Sequence, residues 1–114
     1  VGDAVLKNIA DLAGEPIRET DFLARYGGEE FAVVLDKVQI AAAFSIAEKI
    51  RETVYSHEFL YKKQPITVSI SIGGAICREG DTEASLIKRA DEALYQAKHA
   101  GRNLTVMAKN EKAS

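Results

Sequence analysis

The 114-residue chain has no tryptophan, one cysteine, one methionine and two prolines. Cys77, alone, can form no internal disulfide and leaves no thiolate cluster for zinc, which fits a reduced, cytoplasmic setting even if a parent protein is anchored to a membrane. With a net charge of -2 and 28% charged residues, it lacks the one-signed field that would hold a nucleic-acid polymer or a lipid surface by charge alone. No apolar run approaches the roughly 18 residues of a membrane span, so no membrane contact is expected of this segment. Neither G-x-x-x-x-G-K-[ST] nor G-x-G-x-x-G is present, and His57 and His99 have no nucleophile nearby in sequence. Phosphate-loop, dinucleotide and Ser/His/Asp chemistry are therefore set aside, and any nucleotide chemistry would run through metals held on carboxylates. There is no internal repeat or low-complexity stretch. At this length and 46% hydrophobic content, one domain with a modest core is expected.

What is present is organised around residues 23–35, LARYGGEEFAVVL. Two short apolar segments joined by glycines predict a β-hairpin with its turn at Gly27 and Gly28, since glycine reaches the positive φ of tight turns. Glu29 and Glu30 follow at the mouth of the strand. Adjacent strand residues point to opposite faces, so one carboxylate can face a cleft while the other reaches across. A carboxylate on rigid backbone beside side-chain-free glycines can hold Mg²⁺ against a polyphosphate; a solvated acidic turn is the plainer alternative.

Along the chain, Val5, Ile9 and Leu12 predict a helix over 4–13, with Asp3 able to cap it and Gly14 and Pro16 stopping it. Arg18 and Asp21 bracket a polar tetrad before the first strand. Arginine's donor fork and aspartate's paired acceptors suit a guanine edge plus a phosphate, or simply each other in a salt bridge. The unalternating run 31–35 reads as a strand covered on both faces. Ala43, Ile46, Ile50 and Val54 predict a helix over 38–55, with Glu48, Arg51 and Glu52 outward. A short extended piece is expected at 59–61, and His57 reads as surface.

Residues 66–73 alternate apolar and small polar, predicting a strand. Its small polar face leaves room for the helix over 38–55 or for a substrate. A charged turn at 78–81 leads to a helix over 83–99, inward through Leu86, Ala90, Ala93, Leu94 and Ala97, stopped at Gly101. An edge strand over 104–107 precedes a tail, 109–114, expected to be disordered. The order helix, hairpin, helix, strand, helix, strand describes an α/β two-layer sandwich with a mainly antiparallel sheet flanked by helices. Lys98 and Arg102, astride the last helical turn, could grip a triphosphate; favourable charge at a helix C-terminus is the other reading.

RYGGEEF at 25–31, R-x-x-D at 18–21, ITVSISIGGA at 66–75 and RADEALYQAKHAGRN at 89–103 together resemble the GGDEF family of diguanylate cyclases in its GGEEF variant. The resemblance spans 1–106 and implies a partial GGDEF domain over 1–108 with a nucleotide-cyclase or polymerase-palm-like fold. It further implies condensation of two GTP into cyclic di-GMP with release of two pyrophosphates, in a homodimer using Mg²⁺ or Mn²⁺. In that family's terms Glu29 is the metal-binding carboxylate and helps to deprotonate the hydroxyl, Glu30 assists it, and Gly27 and Gly28 admit the nucleotide. Lys98 and Arg102 match the phosphate-binding pair, Asp3 the guanine acceptor, and Arg18 and Asp21 the site where product inhibits. Asp91 and Tyr95, also recurrent in the family, are assigned to packing and helix-end bonding. The family's upstream strand, D-x-D-x-F, and its following helix are not among these residues. The resemblance therefore implies a fragment lacking the first, central strand, inactive alone, within a longer protein that carries a sensory or receiver domain upstream. A catalytically dead cyclic di-GMP receptor or an interaction domain is the alternative.

Overall fold

The computed structural model describes residues 11, 22–27, 29–36 and 38–109, and of Phe22, Ala24, Arg25 and Tyr26 the backbone only. The expectations for Asp3, Arg18, Asp21, Gly28 and the tail past 109 lie outside those residues, as does the predicted first helix apart from Asp11, which is helical and exposed. The elements are β1 (Phe22–Gly27), β2 (Glu30–Leu35), α1 (Ile40–Ser56), β3 (Phe59–Tyr61), β4 (Gln64–Ile66), β5 (Ser71–Ile76), α2 (Glu83–His99) and β6 (Thr105–Met107).

The main sheet runs β1-β2-β5-β6, and β3 and β4 form a separate hairpin. β1 and β2 are antiparallel, but β2 pairs parallel with β5 from Glu30↔Ser71 to Leu35↔Ile76, and β5 pairs parallel with β6. The mainly antiparallel sheet expected from the sequence is thereby corrected to a mixed sheet with more parallel than antiparallel pairing. Connection length is the physical reason. A tight hairpin reverses the chain, whereas a 17-residue helix carries it back along the sheet, so that the next strand starts from the same end.

The main core lies between β2, β5 and α1. Phe31, Val33 and Leu35 alternate toward one face and meet Ala43, Ala47, Ile50 and Val54 of α1, with Ile72 and Ile76 of β5. The other face of β2 and β5, through Ala32 and Ala75, meets Ala90 of α2. With a helix on each face, all six residues of β5 are buried, Ser71 included. At Gly73 the cover over the small side of this strand is α2 rather than the helix over 38–55. The contact is close enough that a Cβ on Gly73 would stand 2.5 Å from the Ala90 carbonyl oxygen and from Leu94 Cα.

The continuous strand predicted over 66–73 is broken. Ile66 pairs with Phe59 in the small hairpin, 67–70 belong to no strand, and β5 starts at Ser71. Val68 and Ile70 are nonetheless buried; alternation reported their burial, and pairing depended on which neighbour was within reach.

α2 begins with a capping box: the Ser85 N–H donates to the Thr82 hydroxyl at 3.1 Å and the Thr82 N–H to Ser85 Oγ at 2.9 Å, satisfying two otherwise orphaned donors. It ends as the sequence predicts, at Gly101 with φ 130. The Arg102 N–H reaches back to the Ala97 carbonyl at 3.1 Å, the six-to-one bond of a Schellman end. No helix among the described residues is long and apolar enough to cross a membrane.

Candidate functional site

The hairpin turn is shifted from its predicted place. Gly27 is the last residue of β1 and pairs with Glu30, while Glu29 lies in the turn itself. The Glu29 carbonyl accepts from the Ser71 N–H at 2.9 Å, which ties the turn to β5, and the residue is exposed. This is a carboxylate on fixed backbone with an open side chain.

Glu30 shares its parity with Ala32 and Val34 and so faces α2. Its Oε1 stands 3.0 Å from Lys98 Nζ, both side chains a little over a quarter exposed. The space at Gly27 is used by this same carboxylate, because a Cβ there would come within 3.3 Å of Glu30 Cδ and Oε2. Lys98 sits in the last turn of α2. Arg102 follows the Schellman end, exposed, with φ 60.

Of the residues expected to act together, Glu30 and Lys98 are in contact, and Glu29 is the chain neighbour of the first. For a divalent metal, no three His, Cys, Asp or Glu side chains gather among the described residues. Mg²⁺ commonly takes only one or two carboxylates and completes its octahedron with water and substrate phosphates. The exposed Glu29 fits one such ligand, whereas Glu30 is engaged by Lys98.

The sequence reading missed a second polar group nearby. Glu48 and Arg51, expected to point outward, are largely buried, with side chains 24% and 17% exposed. Arg51 donates from Nε to Glu48 Oε2 at 2.7 Å and from Nη2 to Oε1 at 3.0 Å, a fork-to-carboxylate pairing. Its Nη1 donates to Asn103 Oδ1 at 3.1 Å. The Arg51 hydrogen bonds hold the Glu48 carboxyl below its ordinary pKa against the opposing pull of burial, and the same carboxylate raises the guanidinium's own. The i, i+3 spacing of acid and base was the available signal, but it also describes any exposed helical pair.

At the far end of α2, Asp81 is more than the charged turn expected. It accepts from the Arg78 N–H at 2.9 Å, from Ser85 Oγ at 2.8 Å and from the Arg89 guanidinium. Burial works against its ionisation, and these donors outweigh it, so its pKa is lowered. Tyr95 is exposed rather than packed, its ring 4.0 Å from that of His99. Asp91 has a buried Oδ1 with no partner, so helix-end bonding does not describe that oxygen.

Residues 1–104 match the family model described as diguanylate cyclase, GGDEF domain. The chain is 40% identical over 110 residues to diguanylate cyclase A of Treponema denticola, covering 96% of this chain and 30% of that protein. Among solved structures it is similar to the GGDEF domain of DgcB from Caulobacter crescentus, determined in complex with c-di-GMP. That match has a TM-score of 0.77 and 30% identity, over 93% of this chain and 64% of the other. It is similar also to the active GGEEF domain of a diguanylate cyclase from Vibrio cholerae, with a TM-score of 0.69 and 34% identity, over 96% and 69% of the two chains. The chain spans 30% and 24% of the length of two of the curated relatives it matches.

Proposed function

Because the chain belongs to the GGDEF family of diguanylate cyclase domains, we propose that it serves in a cyclase that joins two GTP into cyclic di-GMP and releases two pyrophosphates. The observation that carries this reading is the Glu30–Lys98 contact at 3.0 Å. It brings the basic end of α2 to the glycine–glutamate turn, as a shared triphosphate site requires.

In this reading Glu29 would be the carboxylate that holds a Mg²⁺ or Mn²⁺ ion. The ion, when bound, would offset triphosphate charge and polarise the α-phosphate. Lys98 and Arg102 grip the phosphates as point charge and planar fork respectively. Lys98 exchanges Glu30 for phosphate oxygens as the nucleotide enters, and the freed Glu30 supports the metal ligand. Gly27 and Gly28 carry no side chain to obstruct the nucleotide, and Asp3 accepts from the guanine edge. The 3′-hydroxyl of a second GTP, carried by the partner in a homodimer, attacks the α-phosphorus, with Glu29 placed to take its proton; the roles then exchange. Product returning to Arg18 and Asp21 would slow the enzyme. A sensory or receiver domain would govern the whole, and the domain would work in the cytoplasm.

The test is Glu29→Ala in the full-length protein, assayed for cyclic di-GMP from GTP and Mg²⁺. Since each ~1.4 kcal/mol of lost transition-state stabilisation is tenfold in rate, loss of a metal ligand should lower turnover by about a hundredfold or more. Retention of more than a tenth of the wild-type rate would overturn the assignment.

A further inference from the structure

We propose that Arg51, on the far helix α1, is a positioning residue for the phosphate grip: through Asn103 it sets the path of the loop from which Arg102 projects. The inference rests on the phosphate role given to Arg102 above.

The loop between α2 and β6 has an unusual backbone. Arg102 and Asn103 both lie in the left-handed region, at φ 60 and φ 49, where side chains other than glycine are disfavoured. Two such residues in succession persist only when their surroundings hold them there. On one side the hold is the Arg102 N–H bond to the Ala97 carbonyl, and on the other it is the Ile72 N–H bond to the Leu104 carbonyl at 2.9 Å. Between these two anchors, Asn103 receives the Arg51 bond at 3.1 Å.

Arg51 is suited to this task. Glu48 takes its Nε and Nη2, fixing the guanidinium plane and leaving Nη1 aimed at the loop. Lysine, with a single ammonium on a flexible stem, cannot reproduce this fork. Asn103 is half-buried and Arg102 exposed, so the tethered residue is Asn103 while its neighbour stays open to solvent. If Asn103 leaves the left-handed region, the Cα–Cβ direction of Arg102 turns with the chain, and a rigid donor fork loses its alignment on a phosphate.

The experiment uses the full-length cyclase and compares R51A, R51K, N103A, R102A and the doubles R51A/N103A and R51A/R102A. Readouts are KM for GTP, kcat, and thermal unfolding as the folding check. R51A, R51K and N103A should each raise KM about fivefold to tenfold with kcat within threefold. R51A/N103A should be no worse than either single change, and R51A/R102A no worse than R102A. N103D, which keeps an acceptor for Arg51, should retain more affinity than N103A. Should R51A prove unstable, N103A cuts the same contact from the loop side and decides the matter. The proposal is overturned if R102A raises KM tenfold while N103A leaves it within twofold, or if R51A and R102A effects multiply as independent changes. If R102A leaves KM unchanged, the phosphate reading itself falls and this inference with it.

Discussion

Gly73→Ala tests the packing that carries the basic end of α2 to the turn. The added Cβ would stand 2.5 Å from the Ala90 carbonyl oxygen and Leu94 Cα and nearer still to the Leu94 backbone nitrogen, against 3.4 Å for ordinary contact, so helix or strand must recede by more than about 0.9 Å. Overpacking a dense core costs about 1–3 kcal/mol. The atoms met here are helix backbone, which cannot rotate aside, so the upper end, about 3 kcal/mol, is expected. That is a substantial part of the ~5–15 kcal/mol available to a domain and lowers Tm by at least about 12 °C. Gly74→Ala is the control, because its Cβ meets the flexible side chain of Met107, with Cε at 2.8 Å, and should cost about 1 kcal/mol. Urea unfolding of both variants, at unchanged m, measures the difference, and KM for GTP should rise in Gly73→Ala as Lys98 retreats from Glu30. Equal costs for the two substitutions would refute the argument that backbone contact sets the spacing.

Lys98→Met should raise KM for GTP about tenfold or more while lowering stability by at most about 1 kcal/mol, since a partly exposed ion pair contributes little to folding; a large stability loss with unaltered KM would contradict the phosphate role. Asp81, whose pKa is lowered on folding, stabilises the native state at pH values above its ordinary 3.8. That contribution is lost as the pH falls through the folded-state pKa. Asp81→Asn should therefore destabilise the protein at pH 7 and cost progressively less below about pH 3.8, read by urea melts across that range. An equal cost at pH 7 and pH 2.5 would count against it.

Much of the candidate site was legible because its signals are local. The hairpin around residues 23–35, though not the place of its turn, the last helix over 83–99 with its inward alanines, and the Gly101 stop before a basic residue all follow from periodicity and backbone freedom. The Arg51 tether was not, since its acceptor lies 52 positions away and nothing within α1 distinguishes this acid–base pair from a solvated one. The strand direction was misjudged although its cause lay in the sequence: long helical connections between sheet strands favour parallel pairing. Over 66–73 the alternation was real, but alternation describes which side chains are buried and is silent on which backbone is paired.

The sequence by itself determined the helices now seen at Ile40–Ser56 and Glu83–His99 with their apolar inward stripes, and that a carboxylate-bearing turn and a basic helix end exist. These depend on residues a few positions apart. Only the tertiary structure decided that β2 and β5 lie side by side in parallel, that Glu30 rather than Glu29 meets Lys98, and that α1 reaches the loop carrying Arg102. Each of those contacts joins segments distant in the chain, and only the packing of helices on both faces of the sheet selects them.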